Sequence, residues 1–304
     1  MVIYIRVIRA IRGLCLLNGY LLMVNGYWLV ADSGSTKTDW LLVAPDGTQT
    51  ELHTDGINPA RDARDIIYNV IYHDLMTQLP QVTQLKAVHF YGAGCIEPFS
   101  QTVRSVFDEL LPGCAVEVES DLLGAARALC MHEPGIACIL GTGSNSCLYD
   151  GKKIVKHTPP LGYILGDEGS GSFLGKTLLN GLFKGLLPET LKQAFCEKYD
   201  ISMSGIIERV YRQPAANAFL ASLAPFIAEH RTRPAIHGML VDAFRLFFTR
   251  NIAAYGHKEM PIHCVGGIAF QFAEELYEAA AAEDMKIGRI LRRPIDAIVQ
   301  YHLC

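Results

Sequence analysis

The stretch YWLVADSGSTKTDWLLVAPDG, residues 27–47, decides the fold. Tyr27 to Ala31 is a short apolar run, Asp32 to Asp39 is polar and carries Gly34, and Trp40 to Ala44 is apolar again before Pro45-Asp46-Gly47. Strand, polar turn, strand and Asp-Gly turn is the pattern of an antiparallel meander, whose third strand Thr48 to Thr54 can supply. Apolar residues at Ala63, Ile66, Ile67, Val70, Ile71 and Leu75 then recur at helical spacing within residues 60–79. A buried strand, Ala87 to Tyr91, follows. A second helical face runs from Phe99 to Leu111 and is ended by Pro112-Gly113. Ala115 to Glu119 reads as a strand and Asp121 to Met131 as a helix.

The opening pattern then returns. Gly135 to Leu140 is an apolar strand, Gly141-Thr142-Gly143-Ser144-Asn145 a small polar turn, and Ser146 to Tyr149 a shorter second strand. Asp150-Gly151 is the hairpin turn into Lys152 to His157. Two copies of one βββ-led unit, each with a Gly/Ser/Thr turn between its first two strands, imply a duplicated α/β architecture with a ligand cleft between the halves. Residues 169–255 are mostly helical, Pro261 to Val265 is a strand broken by Gly266-Gly267, and Ile268 to Ala282 is helix-like. The boundaries are an extension over 1–26, an N-terminal domain over 27–120 and a C-terminal domain over 121–304. The C-terminal domain carries a helical insertion, and its last helix is a candidate to return to the N-terminal domain.

Composition narrows the function. The chain has 304 residues, half of them hydrophobic and 19% charged, which is a folded chain long enough for two domains. Its 27 Lys and Arg against 31 Asp and Glu give a formal charge of -4 without a basic block, which argues against nucleic acid or an anionic membrane as partner. Nine cysteines, an odd number without a CxxC, encode neither a disulfide framework nor a zinc site and point to a reducing cytoplasm. Cys130, Cys138, Cys147 and Cys264 sit in apolar runs and read as core. Gly13 to Ala31 lacks a charge over 19 residues, but glycines, asparagines and tyrosines dilute it and no A-x-A site follows. It reads as a leader running into a core strand, with Met23 as a candidate start.

The first turn, Asp32 to Asp39, carries the small residues that let a phosphate chain approach, N–H groups and hydroxyls that donate to it, and a carboxylate, Asp32, that can hold Mg²⁺ through water. An ordinary polar hairpin loop is the alternative. The second turn, Gly141 to Asn145, repeats that chemistry. Gly175-Lys176-Thr177 superficially resembles a P-loop, but Gly169 stands one residue too far away and Gly171 one too near, so Lys176 is expected to be a solvated helix residue. Asp121, at the start of a helix, reads either as a cap or as a general base for an attacking hydroxyl. Asn58 reads as a turn residue whose amide can reach the cleft.

These motifs resemble those of the BadF/BadG/BcrA/BcrD-type ATPase family, and within it the N-acetylglucosamine kinases of the actin, hexokinase and Hsp70 superfamily. DSGSTKTDW from Asp32 resembles the first phosphate motif, ESDLLGAA from Glu119 the connecting segment, and LGTGSN from Leu140 the second phosphate motif. GDEGSG from Gly166 is similar to the sugar loop, VGGIA from Val265 to the adenosine motif, and DGIN from Asp55 to the segment whose Asn contacts the sugar. The resemblance covers about residues 27–304. It implies an α/β fold of duplicated ribonuclease H-like, actin-like ATPase domains around a cleft. It also implies an ATP- and Mg²⁺-dependent kinase acting on an amino sugar, foremost N-acetylglucosamine at O6.

Carried over by motif, Asp121 is the catalytic base, and Asn58, Ser144, Asn145 and Asp167 hold the sugar. Gly34, Ser35, Thr36, Lys37, Gly141, Thr142 and Gly143 meet the phosphates, Gly266 and Gly267 admit adenosine, and Asp32 lies near the metal. One departure stands out: Pro160-Leu161-Gly162 occupies the place of a Gly-Trp-Gly, which removes an indole platform at Leu161. Sugar and ATP are the implied ligands, with a homodimer as a candidate assembly. Two other functions share these residues: an ATPase that activates a radical dehydratase, whose cysteine-bearing cluster motifs are not found here, and a nucleotide- or sugar-sensing module without turnover.

Overall fold

The computed structural model describes residues 26–34, 36–79 and 84–303. The expectations for residues 1–25, Ser35 and Cys304 fall outside them.

The N-terminal half forms β1 (Tyr27–Ser33), β2 (Lys37–Val43), β3 (Gln49–Asp55), α1 (Arg64–Asn69), β4 (Leu85–Gly92), α2 (Ser100–Leu110) and β5 (Ala115–Ser120). After α3 (Asp121–Cys130), the second half repeats the order with β6 (Pro134–Leu140), β7 (Ser144–Asp150) and β8 (Ile154–His157). Helices follow as α4 (Gly162–Leu165), α5 (Gly171–Phe183), α6 (Glu189–Tyr199), α7 (Met203–Tyr211), α8 (Ala216–Ala221), α9 (Ala224–Glu229) and α10 (Pro234–Phe247). The chain closes with β9 (Ile262–Val265), α11 (Gly267–Gln271), α12 (Ala273–Ala282), β10 (Ile287–Leu291) and α13 (Ile295–Leu303).

Each half holds a five-stranded mixed sheet, in the orders β3-β2-β1-β4-β5 and β8-β7-β6-β9-β10. The match is strand for strand. In both, the first strand pairs antiparallel with the second and parallel with the fourth. The ends of β1, β4 and β5, and likewise of β6, β9 and β10, therefore open on one edge, where ligands of α/β sheets collect.

Several boundaries differ from the sequence expectation, and the ladder explains them. β1 and β2 extend into the polar run because Asp32 pairs with Asp39 and Ser33 with Thr38. Ser144 and Asn145 are strand residues for the same reason, opposite Leu140 and Ile139, so β7 matches β2 in length and is not shorter. The helix expected over 60–79 is α1 continued by a π-helical turn, Val70–Leu75, and a 3₁₀ turn, Met76–Gln78. Strand β10 went unforeseen: Ile287–Leu291 is short and flanked by charges, although the duplication itself calls for a counterpart of β5.

Helix α13 packs Ile295, Ile298 and Val299 against Trp28 and Val30 of β1 and Leu41 and Val43 of β2. Helix α3 sets Leu122, Ala125, Ala126 and Leu129 against Ala137, Cys147 and Val265 of the second sheet, while its Ala128 joins the α13 cluster. These two helices thus form the layer between the sheets. The larger core lies under the helical insertion, around Leu174, Leu178, Phe195, Phe226, Phe244 and Phe248. Cys130, Cys138, Cys147 and Cys264 are buried free thiols, as their apolar context led us to expect.

Candidate active site

The edge of the first sheet is held together by hydroxyls. Ser33 Oγ lies 2.7 Å from Thr38 Oγ1, donates to Ile57 O and accepts from the Ile57 N–H, while Thr38 Oγ1 donates to Asp55 O. The Gly56 N–H reaches Thr36 O at 3.1 Å, so the first turn and the DGIN segment form one unit. Asn58 closes a turn, its Oδ1 accepting from the Ala60 N–H at 3.1 Å. Gly94 crosses that oxygen so closely that a Cβ there would stand 2.1 Å from it. Gly34 and Thr36 are exposed at the turn.

Three carboxylates gather at this edge. Asp32, on β1, has its carboxyl pushed up to about 7 by burial, reinforced by the charges of Asp121 and Asp39. Asp121 is also raised, by burial, against the pull of the Leu122 N–H at 2.8 Å. Asp39 is buried and takes Lys37 Nζ at 3.0 Å and His53 Nδ1 at 2.9 Å. A carboxyl whose proton affinity is lifted by burial and by neighbouring carboxylates, as that of Asp32 is, is the electrostatic signature of a cation site. Helix capping at α3 falls to Ser120, whose Oγ accepts from the Leu123 N–H, so Asp121 stands at the first helical position.

The second turn is bound to the helical insertion. The Gly171 and Ser172 N–H groups donate to Gly141 O and Thr142 O at 2.8 and 3.0 Å. Asp167 adopts a left-handed backbone, φ 54°, and the Ser144 N–H points to its Oδ1 at 3.4 Å. A Cβ on Gly143 would stand 3.0 Å from Asp167 Oδ2. Burial raises the Asp167 carboxyl, with Glu168 adding to the shift. Gly266, φ 126°, presses on the start of the second turn: a Cβ there would lie 2.2 Å from Leu140 O and 3.3 Å from Gly141 N. Gly267 opens α11 onto free space.

Two groups therefore emerge. Gly34, Thr36, Lys37, Asp32, Asn58 and Asp121 share the edge of the first sheet; Gly141, Thr142, Gly143, Ser144, Asn145, Asp167, Gly266 and Gly267 share that of the second. Lys176 corrects the expectation of a solvated residue. It is half-buried, donates to Tyr163 O at 2.9 Å and lies over the Phe173 ring, tying α4 to α5. Leu161 is 63% exposed on a left-handed backbone and builds no platform in this conformation.

Sequence reasoning missed Asp39, the cross-strand partner of Asp32, which the strand register would have revealed. It also missed Glu168, buried between Arg250 at 2.9 Å and Asn251 Nδ2 at 3.3 Å. Burial works against the Glu168 charge, but Arg250 holds its carboxyl below the ordinary range. No local pattern announces a partner 82 residues away.

The duplicated sheets and the glycine-lined turns define an actin-like ATPase fold. No protein-family model and no curated protein matches the chain. Among solved structures, the "Putative N-acetylglucosamine Kinase" of Porphyromonas gingivalis is 42% identical, with 90% of this chain and 98% of that one covered and a TM-score of 0.87. A protein of the same description from Chromobacterium violaceum is 20% identical over 91% and 98% at a TM-score of 0.70, and the ethanolamine utilization protein EutJ of Carboxydothermus hydrogenoformans 13% over 91% and 88% at 0.53; these two show the fold alone. On the first of these likenesses, the chain belongs to the N-acetylglucosamine kinase-like family of the actin/hexokinase/Hsp70 superfamily. Among the described residues no helix is long and apolar enough to cross a membrane.

Proposed function

We propose that the protein is an ATP-dependent kinase of an amino sugar, with N-acetylglucosamine phosphorylated at its 6-hydroxyl. The observation that carries this is the occurrence of two glycine-lined turns and a half-buried carboxylate, Asp121, in a chain 42% identical over 90% of its length to a protein described as a "Putative N-acetylglucosamine Kinase". Phosphoryl transfer needs little covalent help and much positioning. The sugar oxygen attacks the terminal phosphorus, the bond to the bridging oxygen breaks, and the hydroxyl proton passes to Asp121. A carboxylate whose proton affinity is raised by burial suits that transfer. N–H groups of both turns other than those of Gly34 and Gly141, which are bonded to Lys37 O and Gly143 O, receive the phosphate oxygens; Gly267 leaves room for the nucleoside, while Gly266 lets α11 start close against Leu140.

Asn58, Ser144, Asn145 and Asp167 hold the sugar in this assignment. Asp32 and Asp39 fit a Mg²⁺ ion, because burial together with Asp121 and Asp39 pushes the Asp32 carboxyl up to about 7 although Lys37 and Arg293 act against them. When bound, the ion neutralises charge on the phosphates. A cytoplasmic location and a homodimer belong to the same proposal.

The test is ADP release over a panel of hexoses and N-acetylhexosamines, with Asp121→Asn alongside. Stimulation by N-acetylglucosamine that the variant loses supports the assignment. Indifference to every sugar defeats the kinase proposal, and an active variant defeats only the base.

A further inference from the structure

Asn145 stands near the mouth of the second sheet, and its hydrogen bonds fix which way its amide faces. Its Oδ1 accepts from the Ser146 backbone N–H at 3.0 Å. A backbone N–H can only donate, so the atom facing it is the carbonyl oxygen, whichever way an amide is otherwise drawn. The same oxygen lies 2.8 Å from His157 Nε2, across the β7–β8 hairpin. His157 must therefore donate from Nε2, and it does so whether or not Nδ1 is protonated. A carbonyl oxygen offers two lone pairs, and both are taken. What Asn145 has left for a ligand is its Nδ2, a donor and nothing else.

The other sugar-facing groups sharpen the point. Asn58 is likewise turned with its oxygen inward, onto the Ala60 N–H. Asp121 and Asp167, when ionised, only accept. Hydroxyls give and take hydrogen bonds, so they satisfy either kind of group and need no locked amide. An acyl carbonyl accepts only, and an amide locked as a donor favours it over a group that must donate.

Resting on the kinase proposal above, we propose that His157 is a positioning residue for substrate selection: it locks Asn145 as a donor that reads the acyl carbonyl of an N-acyl amino sugar. His157 itself does not touch the sugar. It holds the amide against rotation, and the cost of losing it falls on substrates that carry the carbonyl. This supplies a source of N-acyl selectivity in a chain with Leu161 in place of an indole.

The experiment compares kcat/KM for N-acetylglucosamine and for glucose in the full-length protein and in His157→Phe, His157→Gln and Asn145→Asp, with melting temperatures recorded for each. Phe keeps the ring but donates nothing, whereas Gln restores a donor. The expected result is a drop of roughly tenfold in the preference for N-acetylglucosamine in His157→Phe, the scale of one hydrogen bond. That drop is carried by KM, with kcat and the glucose parameters held, and the preference is recovered in His157→Gln. Asn145→Asp, which replaces the donor by an acceptor, loses the preference more severely. A His157→Phe protein with parental melting temperature and parental preference overturns the inference while leaving the kinase proposal standing. A wild-type protein that no sugar stimulates overturns both.

Discussion

Gly266 and Gly267 are neighbours whose replacement by alanine should have opposite consequences. Gly266 has φ 126° and ψ 162°, a region that is essentially glycine's alone, and forcing a side chain there costs about 1–3 kcal/mol. Its Cβ would also stand 2.2 Å from Leu140 O and 2.7 Å from Leu140 C, well inside van der Waals contact. Those atoms belong to β6, whose Ile139 is paired with Val265 of β9, so they cannot retreat without opening the centre of the second sheet. Overpacking of this kind adds about 1–3 kcal/mol, for a total of about 2–6. At roughly 2 °C per kcal/mol for a chain of this size, Gly266→Ala should melt about 4 °C or more below the parent.

Gly267 begins α11, and a Cβ added to it would meet nothing within 4 Å, so Gly267→Ala should keep or raise the melting temperature by helix propensity alone, up to about 1 kcal/mol. On the proposed function, that open space belongs to the nucleotide, and the added methyl should raise the KM for ATP about tenfold, or 1.4 kcal/mol. Thermal denaturation and ADP-release kinetics on the two variants check both statements. A Gly266→Ala protein melting within a degree of the parent would refute the close approach, and an unchanged KM in Gly267→Ala would refute the placement of the nucleotide.

Asp121→Asn should lower kcat by about 10² to 10⁴, the range of general-base catalysis, without lowering the melting temperature, because burial already disfavours the charge it removes. A destabilised variant would mean that the carboxylate is structural. Arg250→Ala should cost about 1–3 kcal/mol by leaving Glu168 buried without its cation, read as a lower midpoint in urea; Glu168→Gln in the same background should restore part of it. Stability should also fall on acidification. His302 is pushed from 6.5 to about 3 by burial and by His89, so the unfolded chain takes up its proton between those values while the fold does not, and stability drains as pH falls below 6.5. Glu117 is opposed by burial but drawn by His89 and Arg127 from 4.5 to about 2, so its contribution is lost below 4.5. His302→Gln should flatten the decline between pH 6.5 and 4.5 in thermal melts, and an unaltered slope would exclude His302 as its source.

The architecture was legible because period and turn chemistry agreed twice. Tyr27 to Gly47 and Gly135 to Gly151 repeat one arrangement of apolar runs and glycine turns, and the two sheets repeat it strand for strand. The ends of elements were less legible, because Asp32, Asp39, Ser144 and Asn145 look like loop residues yet are held by the backbone ladder, which composition does not report. In the site, close approach accounts for Gly143 and Gly266, whereas a Cβ on Gly34, Gly141 or Gly267 would meet at most an ordinary contact. Buried partnerships could not be read in advance. The Glu168–Arg250 pair and the Tyr163 carbonyl that captures Lys176 depend on how the helices after β8 fold back, and the His157–Asn145 contact on the register of the β7–β8 hairpin; each joins residues at least 12 apart.

Duplication also left the two turns chemically unequal, and the inequality gives the cleft a direction. At the first edge, burial together with Asp121 and Asp39 raises the Asp32 carboxyl to about 7, an effect that Lys37 and Arg293 only partly offset. At the second edge, Gly266 meets the backbone of Leu140 and Gly141, and Gly143 lies against a single carboxylate, Asp167, which is turned toward the Ser144 N–H. On the proposed function, a cation held at the first surface would bridge to the triphosphate, while a neutral nucleoside would need only room at the second. The phosphate to be transferred would then lie on the side of the cleft where Asp121 stands at the start of α3. That helix packs on both sheets, so on the proposed function closing the halves over a sugar would move Asp121 and the two turns together.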